Sequence, residues 1–368
     1  MRFRSWRTVA CALALCAPVG MASTSAVANN AGEIAATPDM PFDLQTVAKF
    51  EAPWAIAPMP DETLLISGKS GRLWHVDGAS VTEVAGVPQV SYNGQNGFLD
   101  VAVAEDFADT GAVYFTYVSP ENALVLARAR LDSNVLVDIE QLWTQSPGGR
   151  GQPGGIIAFG ADGFLYLTVG DRMQPDTAQM ADNARGKVLR LTRDGAAAPD
   201  NPDAAGGGTR AMVWSSGHRN PYGLVFGPDG TLWLHEMGPR GGDELNQIKR
   251  GGNYGWPLVS NGRQYSGASI PDHNTRPEFL APSLWWTPVI APAGLAWYKG
   301  DAFAGWHDTM LIGALAGQGL VQIAGDGQSQ INRWDLGFRV RDVAVTDAGA
   351  VYILEDGTQG RLMRLIAK

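Results

Sequence analysis

Apolar residues in this chain come in short alternating runs, and almost nowhere at the three-to-four spacing of an amphipathic helix. One unit recurs: a short apolar strand, a turn of the Asp-Gly type, a second apolar strand, and then a strand that follows a glycine. Its clearest copies span residues 156–167, 223–234 and 343–354, with weaker ones at 54–66, 100–117 and 294–312. The strands that follow them lie at 71–76, 123–131, 186–191, 244–248, 319–323 and 360–365. Asp-Gly between alternating apolar runs is a strong hairpin signal. Repetition at roughly 50 residues per unit fits the four-stranded blades of a propeller better than a sandwich.

The pattern predicts an all-β chain, a single six-bladed β-propeller of four-stranded antiparallel blades over residues 41–368. Residues 42–50 are expected to close the ring as an extra strand of the last blade, after a flexible lead-in at 29–40. Stretches rich in Gly and Pro at 147–155, 200–208 and 256–282 read as long loops on one face, where sites usually sit.

The first residues break this pattern. Arg2, Arg4 and Arg7 precede an apolar run at 9–19, and Ala26, Val27 and Ala28 offer a cleavage site, as in an export signal over residues 1–28. That run is too short for a good membrane span, and no later segment approaches the length. Both cysteines, Cys11 and Cys16, fall inside it, so the mature chain has no thiol and must be held by its core. Removing three arginines and no acid takes the net charge from −9 to −12. An acidic chain exported to the periplasm or beyond argues against nucleic acid or an anionic membrane as partner.

Chemistry concentrates in residues 217–257. They read Gly-His-Arg-Asn-Pro, then Gly-Pro-Arg-Gly-Gly-Asp-Glu, then Gly-Gly-Asn-Tyr-Gly-Trp-Pro, a glycine-rich polar cradle rather than a core. There is no zinc-type spacing among the five histidines, and no nucleophile elbow, P-loop or dinucleotide fingerprint. Further motifs are Gly-Gln-Asn-Gly-Phe-Leu-Asp at 94–100, Val-Gly-Asp at 169–171, Trp-Thr-Pro-Val-Ile-Ala-Pro-Ala-Gly at 286–294 and Arg-Val-Arg-Asp-Val at 339–343. Together these resemble the soluble, PQQ-dependent aldose sugar dehydrogenases of the glucose/sorbosone dehydrogenase family, across residues 52–365.

The resemblance implies an enzyme that oxidises an aldose at C1 to the lactone, with PQQ and Ca2+ as cofactors and an external electron acceptor. It places Gln95, Arg219, Asn220, Arg339 and Arg341 at the cofactor, and guanidinium forks suit its carboxylates. As a bare pattern, Arg339-Val-Arg341 reads equally well as a solvated strand face. The carbonyls of Gly238 and Pro239 would hold a catalytic calcium, and Asp243, Glu244 and the carbonyl of Tyr254 a second, structural one. Trp256, Trp285 and Trp286 read as core before they read as pocket walls, and Asp100 as a strand-end residue as much as a ligand.

Two positions depart from the family. Its catalytic histidine, the base for the sugar hydroxyl, is matched here by Gln152, and an amide is no base. A lysine that contacts the cofactor in some relatives is matched by Ala316. Asp171 resembles the carboxylate that would partner the missing imidazole; it is a candidate base or the pin of its own turn. A non-catalytic propeller that binds a sugar or protein is therefore an alternative, and a calcium-dependent, lactonase-like hydrolase a weaker one.

Overall fold

The computed structural model of the protein describes residue 1 and residues 29–368; the expected export signal at 2–28 lies outside the described residues. Six antiparallel sheets follow one another along the chain, each built from an innermost strand outward. The innermost strands are Pro53–Pro58, Phe98–Val103, Gly154–Phe159, Pro221–Phe226, Pro292–Tyr298 and Val340–Val345. They surround a central channel of about 720 Å³. This is the six-bladed propeller that the repeat predicts. No helix among the described residues is long and apolar enough to cross a membrane.

The ring closes where expected. Phe42–Glu51 pairs antiparallel with Gln359–Ala367 and becomes the outer strand of blade six. Phe42, 1% exposed, also reaches into blade five, edge-on to Trp334 at 5.4 Å and Trp306 at 5.9 Å. One side chain thus ties the first strand of the ring to its last two blades.

Neighbouring blades are latched by polar groups that leave one sheet for the next. Ser67 donates to the Leu99 carbonyl at 2.5 Å, Thr116 to that of Gly155 at 2.6 Å, and His235 Nε2 to that of Gly294 at 2.9 Å. Gly223 lies where a Cβ would run into the His235 ring, so glycine is the residue that allows this approach. Asp100 accepts the Ile157 N–H and Asp342 the Ile56 N–H, both at 2.7 Å across a blade boundary. Burial pushes these two carboxyls up to about 8 and about 7. Asp100 is therefore a latch between blades, the strand-end role rather than the ligand role.

Two expectations about segments change. Residues 29–40 are docked, not a free lead-in: Asn29–Asn30 pairs with residues 284–285, Asn30 donates to the Thr287 carbonyl at 2.9 Å, and Ala31 is buried. The 200–208 loop joins the third strand of blade three, Lys187–Leu191, to its fourth, Val213–Ser216. In an up-and-down blade that connection falls at the end opposite the turn between the second and third strands, so it lies on the face away from the site loops. The 256–282 loop makes the same kind of connection in blade four but returns to the site face. It climbs beside blade three through the Ser216–Asn253 bridge, and Gly262–Arg263 pairs with Arg240–Gly241.

All six innermost strands carry a register shift within their first residues. Bulges re-aim side chains and recur beside functional sites. Here they turn the strand starts toward one face. Phe42→Ala is expected to cost about 3–5 kcal/mol through lost aromatic packing, read from the urea midpoint. A loss under about 1 kcal/mol would mean that backbone pairing alone closes the ring.

Candidate active site

On the bulged face the floor is aromatic. Trp54 and Tyr222 meet edge to face at 5.2 Å over the mouth of the central channel, and the Arg341 guanidinium lies 4.4 Å above the Trp54 ring. Arg341 and Arg339 share Asp356, with N–O distances of 2.6 and 2.7 Å. Burial works against ionisation of Asp356, but Arg341 and Arg339 overcome it and hold the carboxyl below its usual range. Arg341 is well covered, whereas Arg339 is half exposed at the rim. The strand places them apart: one belongs to the floor, the other braces Asp356.

Opposite them sits the group around residue 152. The Gln152 backbone N–H donates to the Gln95 side chain. Its partners assign the amide orientation: with the NH2 turned toward Asp171 Oδ1, the carbonyl accepts from Arg219 Nη2 at 2.8 Å. Asp171 Oδ1 also accepts the Met173 N–H at 2.8 Å, and Oδ2 the Trp256 indole N–H at 2.9 Å. Asp171 therefore both pins its turn and faces the site residues. Burial pushes its carboxyl above the usual range, against the pull of Trp256, Met173 and the Arg219 charge. Trp256 is buried with Ala178 and Ile270, as its core reading expects, and its indole also holds Asp171 and lies 5.4 Å from the Arg219 guanidinium.

Arg219 is positioned from behind. Its backbone N–H donates to Glu236, which also bonds His218 Nδ1 at 2.8 Å; His218 stacks on Tyr254 and meets Ser215 through Nε2. His218 is thus held as a buried structural histidine. The Arg219 guanidinium donates to the carbonyls of Met237 and Gly238, at 2.8 and 2.9 Å, and to the Tyr265 hydroxyl at 3.3 Å. Asn220 lies beside it with its amide toward the Met237 sulfur. His235, by contrast, faces the neighbouring blade and not the site.

The expected cofactors fit unequally. Arg219, Arg341 and the nearby Lys69 surround the aromatic pair Trp54–Tyr222, while the carboxylate of Asp356 is already engaged by arginines. Such a surplus of cations around an aromatic floor suits a planar polycarboxylate like PQQ. The carbonyls of Met237 and Gly238 converge on the Arg219 guanidinium and have the oxygen chemistry that calcium takes. The Gly238 carbonyl now holds Arg219, so an ion there requires that guanidinium to release it.

Of the residues expected to hold a second, structural calcium, Asp243 is taken up by backbone groups, whereas Glu244 and Tyr254 line a small enclosed cavity with Glu236 and Gly238. Asp243 accepts three backbone N–H groups, those of Gly238, Ile290 and Ala291, at 2.7–2.9 Å. Burial pushes its carboxyl up to about 7 against those bonds. Glu244 bonds His273 Nε2 at 3.1 Å and Asn246 at 3.2 Å. Tyr254 is placed by its side chain, stacked on His218 with its hydroxyl bonded at residues 247 and 249. Among the described residues no three His, Cys, Asp or Glu side chains gather around a possible ion. Asp243 is a backbone clamp that fixes the Gly238 turn to residues 290–291.

A circular array of strand starts that carries an arginine-lined aromatic floor defines a propeller oxidoreductase site rather than a hydrolase centre of converging carboxylates. The glucose/sorbosone dehydrogenase family model matches residues 50–364, and the chain belongs to that family of oxidoreductases. It is 35% identical to the aldose sugar dehydrogenase YliI of Escherichia coli over 86% of this chain and 90% of that protein. The crystal structure of the apo form of the soluble E. coli aldose sugar dehydrogenase superposes with a TM-score of 0.82 at 33% identity, over 89% of this chain and all of that one. The PQQ-bound aldose sugar dehydrogenase of Streptomyces coelicolor superposes at 0.75 with 28% identity, over 91% of this chain and all of that one.

Chelation tests the ion assignments. If residues 244 and 254 hold an ion, EGTA is expected to lower the melting temperature of the cofactor-free protein by several degrees, because a bound ion stabilises the fold by mass action. The same fall in Glu244→Gln would assign the ion to the Gly238 and Pro239 carbonyls instead, and no fall in the wild type would contradict a structural calcium.

Proposed function

We propose that this protein is a PQQ-dependent aldose dehydrogenase in which Asp171, and not an imidazole, accepts the proton of the sugar's C1 hydroxyl. The observation that carries this reading is the Gln152–Asp171–Trp256–Arg219 constellation on the family's site face. PQQ, when bound, supplies the two-electron acceptor for the hydride that leaves C1, and calcium at the Gly238 and Pro239 carbonyls would polarise its quinone.

The chain's own residues do the rest. Arg219 and Arg341 would hold the carboxylates of the cofactor over the Trp54–Tyr222 floor. Gln152 bridges Asp171 and Arg219, so a sugar hydroxyl that displaces its amide takes the hydrogen bond to Asp171 Oδ1. Trp256 keeps the other carboxylate oxygen in place. The raised pKa makes Asp171 a better proton acceptor than an ordinary surface carboxylate. Electrons then leave to an external acceptor, and the product is a lactone. The export signal expected at residues 1–28 would put this chemistry in the periplasm or outside the cell.

Gln152 and Ala316 together favour a second reading, a family member that binds a sugar without turning it over. Two variants separate the readings. Asp171→Asn is expected to lower kcat by about 10²–10⁴ while PQQ affinity stays near that of the wild type. Gln152→His is expected to raise kcat and to move the acid limb of the rate profile toward the imidazole range near about 6.5. The sign follows from the base: activity falls as pH drops through the pKa of the group that must be unprotonated. Turnover of Asp171→Asn at the wild-type rate would remove Asp171 from the mechanism.

A further inference from the structure

One cation at the site belongs to no motif and has no acidic partner. Lys69 sits in the turn between the second and third strands of blade one, immediately after Leu64–Gly68. Its ammonium donates to the Gly94 carbonyl and lies 5.7 Å from the Trp54 ring and 5.6 Å from the Tyr92 ring. Among the described residues it forms no salt bridge; the nearest carboxylate of note, Asp356, is bonded by Arg339 and Arg341. Burial lowers its pKa and the like charge of Arg341 lowers it further, with Asp356 opposing. Two cations thus face the same indole ring, Lys69 at 5.7 Å and Arg341 at 4.4 Å. Such repulsion in a half-buried place is costly unless an anion comes to lie between them.

Ala316 supplies no charge from blade five. We propose that Lys69 supplies it from blade one, as a cofactor-binding residue that holds one carboxylate of the bound tricarboxylate beside Arg341. The role rests on the PQQ reading above for the identity of the ligand, but the demand for an anion rests on the geometry alone. The ammonium is a point charge with three donors, one of which the Gly94 carbonyl takes; two remain for a ligand. Tyr92, about half exposed, covers the outer side of the amine. The 87–97 loop and the turn of Lys69 are held together by the Phe98 N–H to Lys69 carbonyl bond at 3.1 Å, so the amine is placed by backbone and not by a flexible loop.

The test measures binding without turnover. PQQ is titrated into calcium-loaded protein and followed by tryptophan fluorescence, for wild type, Lys69→Met, Lys69→Arg and Lys299→Met. Lys299 pairs with Asp347 on the opposite face, so the last variant removes the same charge away from the site. Lys69→Met is expected to weaken PQQ binding about tenfold, the worth of one charge-assisted hydrogen bond. Its affinity should also depend less on salt than that of the wild type. Lys69→Arg should recover most of the loss, and Lys299→Met should bind as the wild type does. Wild-type affinity in Lys69→Met, with an unchanged circular dichroism spectrum, would overturn the proposal.

Benzene-1,3,5-tricarboxylate separates this inference from the cofactor reading. If PQQ fails to bind but the tricarboxylate raises the melting temperature of the wild type and not of Lys69→Met, the anion site stands and the cofactor assignment falls. If neither ligand senses Lys69, the residue is a packing group of the 87–97 loop and the proposal is wrong.

Discussion

The pairing of Phe42–Glu51 with Gln359–Ala367 is the contact on which the rest of the structure depends. A row of six sheets has two free edges, and only their union brings the starts of the six innermost strands to a common axis. Closure also sets the blades face to face, so that latches such as Ser67 to Leu99 and Asp342 to Ile56 can form. Without the ring, Arg341 of blade six would not lie over Trp54 of blade one, nor Trp54 against Tyr222 of blade four. The floor of the site is therefore a consequence of long-range closure, and each of its three residues comes from a different blade.

Charge organises what stands on that floor. Positive groups enter from separate blades: Lys69, Arg219 and Arg341, with Arg339 at the rim. Asp356 neutralises part of this set, and Asp171 lies across the floor, held by the Trp256 and Met173 N–H groups within reach of the Arg219 charge. Behind Arg219, the buried Glu236 and Glu244 are bonded by His218, His273 and Asn246, while His273 Nδ1 and Asn246 Oδ1 have no partner. Buried carboxylates with such partners can remain in place without an ion. The acidic part of the 217–257 region thus includes a hydrogen-bonded brace that orients one guanidinium.

Much of this was legible in the order of residues, and the misses share a cause. Turn chemistry is local, so Asp-Gly hairpins at 162–163 and 229–230 reveal blades before any packing is known. The motif residues Gln95, Gln152, Asp171, Arg219 and Arg341 do come together. Lys69 and Tyr265 were not visible, because an isolated lysine or tyrosine gains meaning only from the blade opposite. Asp243 beside Glu244 suggested an ion, whereas its partners are backbone N–H groups 47 and 48 residues away. The 200–208 loop was set on the wrong face because composition marks a loop, while the parity of the strands before it decides the face.

The central claim is that this site binds PQQ and passes a sugar's electrons to it despite the glutamine at position 152. The direct measurement is an anaerobic titration of the purified protein with calcium and PQQ, followed by addition of an aldose while the quinone absorbance is recorded. The account predicts saturable PQQ binding and then loss of the oxidised quinone band on addition of sugar, with one cofactor reduced per site. Saturable binding with an unchanged spectrum after sugar, or no binding at all, would contradict it.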